Sequence, residues 1–273
     1  MDYHVIDLCQ VHGYSRQAYY KRRNADYRQI LMEAIIIKQV LEIRRQMPKL
    51  GGRKLYHEIK PVLEEMRFNF GRDRLFDLLR REKLLIRRKK KYVKTTNSRH
   101  RFRKYSNLIK NLSIERPNQV YVADITYIRT LSGFCYLSLI TDACSRKIVG
   151  YHLSRSLGIE GCLCALKKAL KALPNSVSVI HHSDRGIQYC SDEYTGLLNK
   201  HRVNISMTEQ DHVYENALAE RVNGILKDEF MLGETLASYD VARQMVREAV
   251  DIYNERRPHQ SLGYEKPSMR HAA

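Results

Sequence analysis

The chain has 273 residues, 43% of them hydrophobic with only six prolines, and a formal net charge of +18; a chain of this length and make-up folds, as one large domain or two smaller ones. No apolar run approaches the roughly 18 residues that span a bilayer, and the N-terminus MDYHVIDLCQ lacks the basic flank and apolar stretch of a secretory signal, so a membrane partner is excluded. The charge selects for a polyanion, and the six cysteines, none in a CxxC pair, read as reduced thiols in a cytosolic protein rather than zinc ligands.

In chain order, residues 4–24 predict a short helix–turn–helix, with Ser15 capping a second helix whose exposed Arg16, Gln17, Lys21 and Arg22 suit phosphate or base contact. A break near residue 27 would end this remnant (1–27). Residues 28–90 form a second helical region. It holds one helix ending before Pro48, another with Leu55, Ile59, Val62, Leu63 and Met66 in step but kinked or broken at Pro61, and a third built on Leu75, Leu78, Leu79 and Leu85. Residues 80–104 carry 13 Lys or Arg and one acid, Glu82. A solvated charge run is the bland alternative. Interleaved Tyr92, Phe102 and Tyr105 favour nucleic acid instead, with Arg87, Arg88, Lys89, Lys90 and Lys91 as its densest stretch and 91–113 as a basic linker.

From residue 114 the grammar changes. NQVYVADITYI, GFCYLSLIT and RKIVGYHLS predict a three-stranded antiparallel meander, followed by the helix GIEGCLCALKKALKAL, a buried strand SVSVIHHSD, a helix near SDEYTGLLNKH, a short strand VNISM and the helix ENALAERVNGILKDE. The order β-β-β-α-β-α-β-α describes a mixed sheet with helices on its faces, an α/β core over residues 114–232. Residues 233–273 add one more amphipathic helix and a tail expected to be irregular.

Three acids stand where chemistry can occur. Asp124 lies mid-strand, where a charge is costly unless paired or metal-bound. Asp184 sits at a strand's C-terminal edge, where ligands bind in open mixed sheets, and Glu220 is on the non-core face of its helix. Carboxylates from three elements can share one point around a cation, and an oxygen-only set favours Mg²⁺ or Mn²⁺. Two such ions would serve both oxygens of an in-line phosphoryl transfer. Asp142, in TDACSRK, instead sets the turn between strands. His181 and His182 read as strand-end packing, with orientation of Asp184 or DNA contact as the alternative. Glu220, Asn223, Gly224 and Lys227 share a helix face, but Glu220 and Lys227 lie roughly 10 Å apart along the axis, too far to pair. Gly224 costs about 1 kcal/mol in a helix interior, which leaves that face unexplained by solubility.

At these residues the chain resembles the orfB-type transposases of the IS-three group of bacterial insertion sequences, relatives of retroviral integrases with a DDE triad on an RNase H-like fold. The match runs through YVADITY around Asp124, HSDRGIQY around Asp184, ENALAE ending at Glu220, the 35 residues between the last two acids, Lys227 two turns on, and the tail YNERRPHQSLGYEKP. Tyr121 replaces a usual Trp, and Glu215 replaces a common Asp. The resemblance implies an RNase H-like mixed-sheet catalytic core preceded by an all-helical, HTH-like DNA-binding region. It implies Mg²⁺-dependent cleavage and 3′-OH strand transfer at element ends, with Asp124, Asp184 and Glu220 holding two ions (Mn²⁺ substituting) and no covalent enzyme intermediate. Lys227, Asn223, Arg185 and Gln188 would contact DNA, with Gly224 leaving room for its backbone. Expected partners are terminal inverted repeats, target DNA, at least one further copy of the chain, and an upstream orfA product or frameshift fusion, in a nucleoid-associated cytoplasmic setting. A catalytically idle, transposase-derived repressor and a simple RNase H-like nuclease are the alternatives.

Overall fold

A computed structural model describes residues 4–86, 102–174, 178–209 and 217–273. Arg87, Arg88, Lys89, Lys90, Lys91 and Glu215 fall outside the described residues. The chain divides into two compact units, Met1–Gln46 with Leu50–Arg87, and Met47–Lys49 with Arg88–Ala273.

The first unit is helical: α1 (Val5–Val11), α2 (Arg16–Gln46), α3 (Gly52–Glu65) and α4 (Arg72–Arg81). Ser15 caps α2 as its position predicts, its Oγ accepting from the Ala18 N–H at 3.1 Å. The break expected near residue 27 does not occur, because no Gly or Pro interrupts the chain between Ser15 and Pro48 and α2 runs unbroken across it. The segment after α1 is therefore not a separate recognition helix. Pro61 likewise lies inside a single helix. Its missing N–H and the clash with the preceding turn carry a cost of about 3 kcal/mol, and burial of Leu55, Ile59 and Leu63 on the core side of α3 offsets it. Those three, with Ile36 and Val40 of α2 and Leu75, Leu78 and Leu79 of α4, are buried apolar positions of the unit.

The second unit is built on a five-stranded mixed sheet in the order β3-β2-β1-β4-β5, comprising β1 (Val120–Thr130), β2 (Gly133–Asp142), β3 (Ile148–Ser154), β4 (Ile180–Ser183) and β5 (Asn204–Met207). The first three form the predicted antiparallel meander, and β4 and β5 add in parallel on the other side of β1. One face is covered by α5 (Ile159–Lys171), the short α6 (Ile187–Cys190) and α7 (Asp192–Lys200). Cys162, Ala165, Leu166 and Ala169 of α5 and Tyr194 and Leu198 of α7 meet Tyr121, Ala123 and Ile140 there. On the other face Ala219 of α8 (Ala217–Glu229) packs against Val120 and Val122. This is the mixed-sheet core with helices on both faces that the resemblance implies.

Three details depart from the expected divisions. Residues 102–113 are not a free linker: Phe102, Tyr105 and Ile109 pack on the core clusters, and the Leu108 N–H donates to Ser206 Oγ at 2.9 Å. The tail is not wholly irregular, because after α9 (Tyr239–Glu255) a 3-10 turn spans Gln260–Leu262 and α10 spans Pro267–Ala272, started by a proline at its first turn. Nor is the C-terminal helix separate from the core, since Asn254 of α9 both donates to and accepts from the Ile148 backbone, at 3.0 and 2.9 Å. All six cysteines are free, and no described helix is long and apolar enough to cross a membrane.

Candidate active site

Asp124 sits in β1, where the sequence puts it, opposite Leu139 of β2. On the other side β1 pairs with β4 as far as Val122 opposite His182, and β4 ends at Ser183. Asp184 therefore leaves the sheet at the level of Asp124, one strand away. The turn that releases it depends on Gly186, whose N–H donates to Asp184 Oδ1 at 2.9 Å. A side chain at Gly186 would begin only 2.9 Å from that same oxygen.

The third acid arrives on α8. Asn223, buried, donates from Nδ2 to Asp124 Oδ2 at 2.6 Å, and Glu220 precedes it by one turn on the exposed first turn of the helix. Burial first, then the neighbouring charge of Asp184, pushes the Asp124 carboxyl up to about 7; Glu220 pushes the same way, and the Ile125 backbone and Asn223 amide pull it down. Asp184 and Glu220 thus both act on the Asp124 carboxyl, Asp184 the more strongly. Among the described residues no three His, Cys, Asp or Glu side chains are already arranged to hold a metal ion. Glu220 is solvent-facing, shortly after residues 210–216, which lie outside the described set.

The resemblance turns Asn223 toward DNA. In the structure α8 packs close enough on β1 for the Asn223 Nδ2 to be used on Asp124. Gln188 is half-exposed, and its Nε2 donates to the Leu157 carbonyl at 2.9 Å, bracing the turn after Asp184 against the loop before α5. Arg185 and Lys227 are half-buried, and Arg16 is exposed at the start of α2 in the other unit. A Cβ at Gly224 would meet nothing within 4 Å, so that stretch of α8 is open.

His181 and His182 are buried, as the packing interpretation expects of a strand covered on both faces. Tyr194 Oη lies 2.9 Å from His181 Nε2, and burial, then His182, pushes the His181 imidazole down to about 3, so it stays neutral. Asp142 sets its turn: Oδ1 accepts from both the backbone N–H and the hydroxyl of Ser145 at 2.7 Å, and Oδ2 accepts from the Asn118 N–H at 2.6 Å. Tyr121 fills the position of the usual Trp, buried with its hydroxyl donating to Asn118 Oδ1.

Sequence reasoning misses the anchor at the far end of α8. Arg257 is 2% exposed and grips Glu229 through both carboxylate oxygens, at 2.8 and 2.9 Å. The run ERRPH is visible in the sequence, but its partner lies 28 residues earlier.

Two family models, each described as an integrase core domain, match residues 114–212 and 201–267. The uncharacterized 31 kDa protein of insertion element IS600 from Shigella sonnei is 34% identical over 266 residues, covering 96% of both chains. The chain belongs to the IS-three group of insertion-sequence transposases. The InsF transposase for insertion sequence IS3A of Escherichia coli strain K12 is 27% identical, over 98% of this transposase and 94% of that one. Among solved structures, a chain of the simian T-cell lymphotropic virus intasome shares the fold, with a TM-score of 0.51 at 15% identity over 86% of this chain and 74% of that one. The transposase is accordingly a polynucleotidyl transferase acting in DNA integration.

Proposed function

We propose that Asp124, Asp184 and Glu220 form the catalytic triad of this transposase and hold two divalent cations, Mg²⁺ with Mn²⁺ able to substitute. The observation that carries the proposal is the register that brings Asp184 out of β4 beside Asp124 of β1: neighbouring carboxylates with oxygen donors only are matched to a hard cation. When bound, such ions stabilise the attacking and leaving oxygens of an in-line phosphoryl transfer. Asp124, Asp184 and Glu220 would be the residues that hold them.

The chain's own residues do the positioning. Asn223 fixes the Asp124 carboxylate through its amide, and Gly186 and Gln188 fix the turn that presents Asp184. Arg185 and Lys227 supply charge for phosphates, and the open face at Gly224 admits a sugar–phosphate backbone. Hydrolysis at an element end frees a 3′-OH, and that hydroxyl then attacks a second phosphodiester at the same site. No serine or tyrosine nucleophile is needed. The helical unit, with Arg16 and the stretch Arg87, Arg88, Lys89, Lys90 and Lys91, would bind terminal repeats in an HTH-like manner. Joining paired ends calls for at least two copies of the chain, with an orfA-derived segment as a further partner, in the cytoplasm at the nucleoid.

Cleavage and joining of labelled element ends with Mg²⁺ tests this. Asp124→Asn is expected to abolish both products while DNA affinity stays nearly intact, and strand transfer by that variant would refute the metal role. Binding without cleavage by the native chain would mark a repressor, and cleavage without joining a nuclease.

A further inference from the structure

The β1–β2 hairpin carries aromatic residues that the core does not use. Side chains alternate across a sheet, and Ile125 packs with the cluster under α5, so Tyr127 and Arg129 share that face. Their register partners Tyr136 and Phe134 lie opposite them on β2. Helix α5 covers only part of this face. Its first turn lies against two rows, that of Ser138 and that of Tyr136, whose partner on β3 is Ser154: Ser138 Oγ is 3.5 Å from Cys162 Sγ, and a Cβ on Gly161 would sit 2.4 Å from Ser154 Oγ. The next row outward is Phe134–Arg129.

In these outer rows the side chains are ordered against one another, with Tyr127 and Tyr136 half-buried and Arg129 and Phe134 exposed. Tyr127 meets Tyr136 and Phe134 edge to face, at centroid distances of 5.2 and 6.2 Å, and the Arg129 guanidinium lies over the Phe134 ring at 5.2 Å. Phe134 is 49% exposed, and Leu131 at the hairpin tip is 78% exposed. The ledge and Asp124 share a strand but lie on opposite faces of the sheet, with Arg129 five residues beyond Asp124 in β1, about 16 Å along the strand at roughly 3.3 Å per residue. The loop leading into α5 is also tied to the turn after Asp184 through Gln188 and Leu157.

The geometry points to Phe134 and Arg129, backed by Tyr127 and Tyr136, as a stacking platform for unpaired bases of a DNA strand that passes over this face of the hairpin. An aromatic row with a guanidinium seated on it matches a base face and its neighbouring phosphate, whatever the base, and a basic protein that cuts and joins DNA supplies that ligand. The strand can come from the element end or from the target, since both present the same chemistry. The assignment rests on the DNA-joining activity, and not on the metal site.

The chain has no tryptophan, so Phe134→Trp gives a single fluorescent reporter on the ledge while keeping a stacking ring. In the full chain with EDTA, emission is expected to fall on saturation with a frayed element-end duplex or with an unrelated single-stranded oligonucleotide, and the more effective of the two identifies the source. Phe134→Ala is expected to weaken binding of the quenching DNA on the order of tenfold. Phe134→Trp should restore it, and Arg129→Gln should weaken it while leaving the fold's circular dichroism intact. Asp124→Asn should keep the quenching although it joins nothing, which separates this site from the metal reading. Emission unchanged by either DNA when anisotropy shows saturation would overturn the assignment. So would quenching by raised protein concentration alone, which would give the ledge to a second copy of the chain.

Discussion

Asn223 donates its amide to Asp124 at 2.6 Å, from a helix that also carries Glu220 one turn earlier. This bond favours the carboxylate form of Asp124 against burial and the charge of Asp184. Asn223→Ala should therefore let Asp124 keep its proton to higher pH. The acid limb of the strand-transfer pH profile is expected to move upward, with the plateau reached at more alkaline pH than in the native chain. A limb that stays in place would show that the bond does not control Asp124.

The same carboxyl links stability to pH. Its ordinary value is 3.8 and its folded value about 7. Between those values the folded chain holds a proton that the unfolded chain has lost, so the contribution to stability is greatest below pH 4, falls through this window, and is fully lost above pH 7. Asp124→Asn removes the dependence. In EDTA, the variant is expected to gain on the native chain by on the order of 2–4 kcal/mol between pH 5 and pH 8. Urea titrations at the two pH values measure the difference, and equal gaps at both would contradict it.

Arg257 holds Glu229 in a buried, two-pronged ion pair. Removing only the guanidinium strands a carboxylate of low exposure, and Arg257→Met should cost about 3 kcal/mol. Pairing it with Glu229→Leu should recover most of that loss, because two apolar groups leave no charge behind. Denaturation midpoints of the two variants test the pair, and equal loss in both would show that shape rather than charge is at stake.

Gly224 offers a trade between stability and substrate access. A methyl group there would have no neighbour within 4 Å, so Gly224→Ala fits without strain and should stabilise α8 by up to about 1 kcal/mol. If DNA approaches there, joining should fall while melting temperature rises. A rise in both would remove the DNA backbone from this face.

Residues 87–91 carry five adjacent positive charges. Replacing them with glutamine should flatten the salt dependence of DNA binding by about one unit of log–log slope for each lost phosphate contact. An unchanged slope would show that the run is merely solvated.

The strands, the meander and the placement of Asp124 and Asp184 are legible because each rests on local pattern, namely β-branched runs, a polar exit after HHS, and a glycine two residues on; the order in which the strands pair is not. The identity of the Asn223 partner is not legible. A helix face tells which residues point together but not which strand they meet, so an amide next to a catalytic acid and one facing DNA look alike in sequence. The continuity of α2 is written in the absence of any breaker after Ser15, and the polar run NADYR suggests a gap only because it lacks an apolar stripe. The Arg257–Glu229 pair is a tertiary choice between many possible acids, and only the packed structure makes it.

Asn254 and Arg257 bind the C-terminal segment to β3 and α8. A gene copy interrupted after codon 250 would still encode all three acids with their spacing, and would be counted as a live element by any search for those signatures. Its product would lack both anchors, so decayed insertion sequences of this kind can masquerade as mobile ones until the last two dozen codons are inspected.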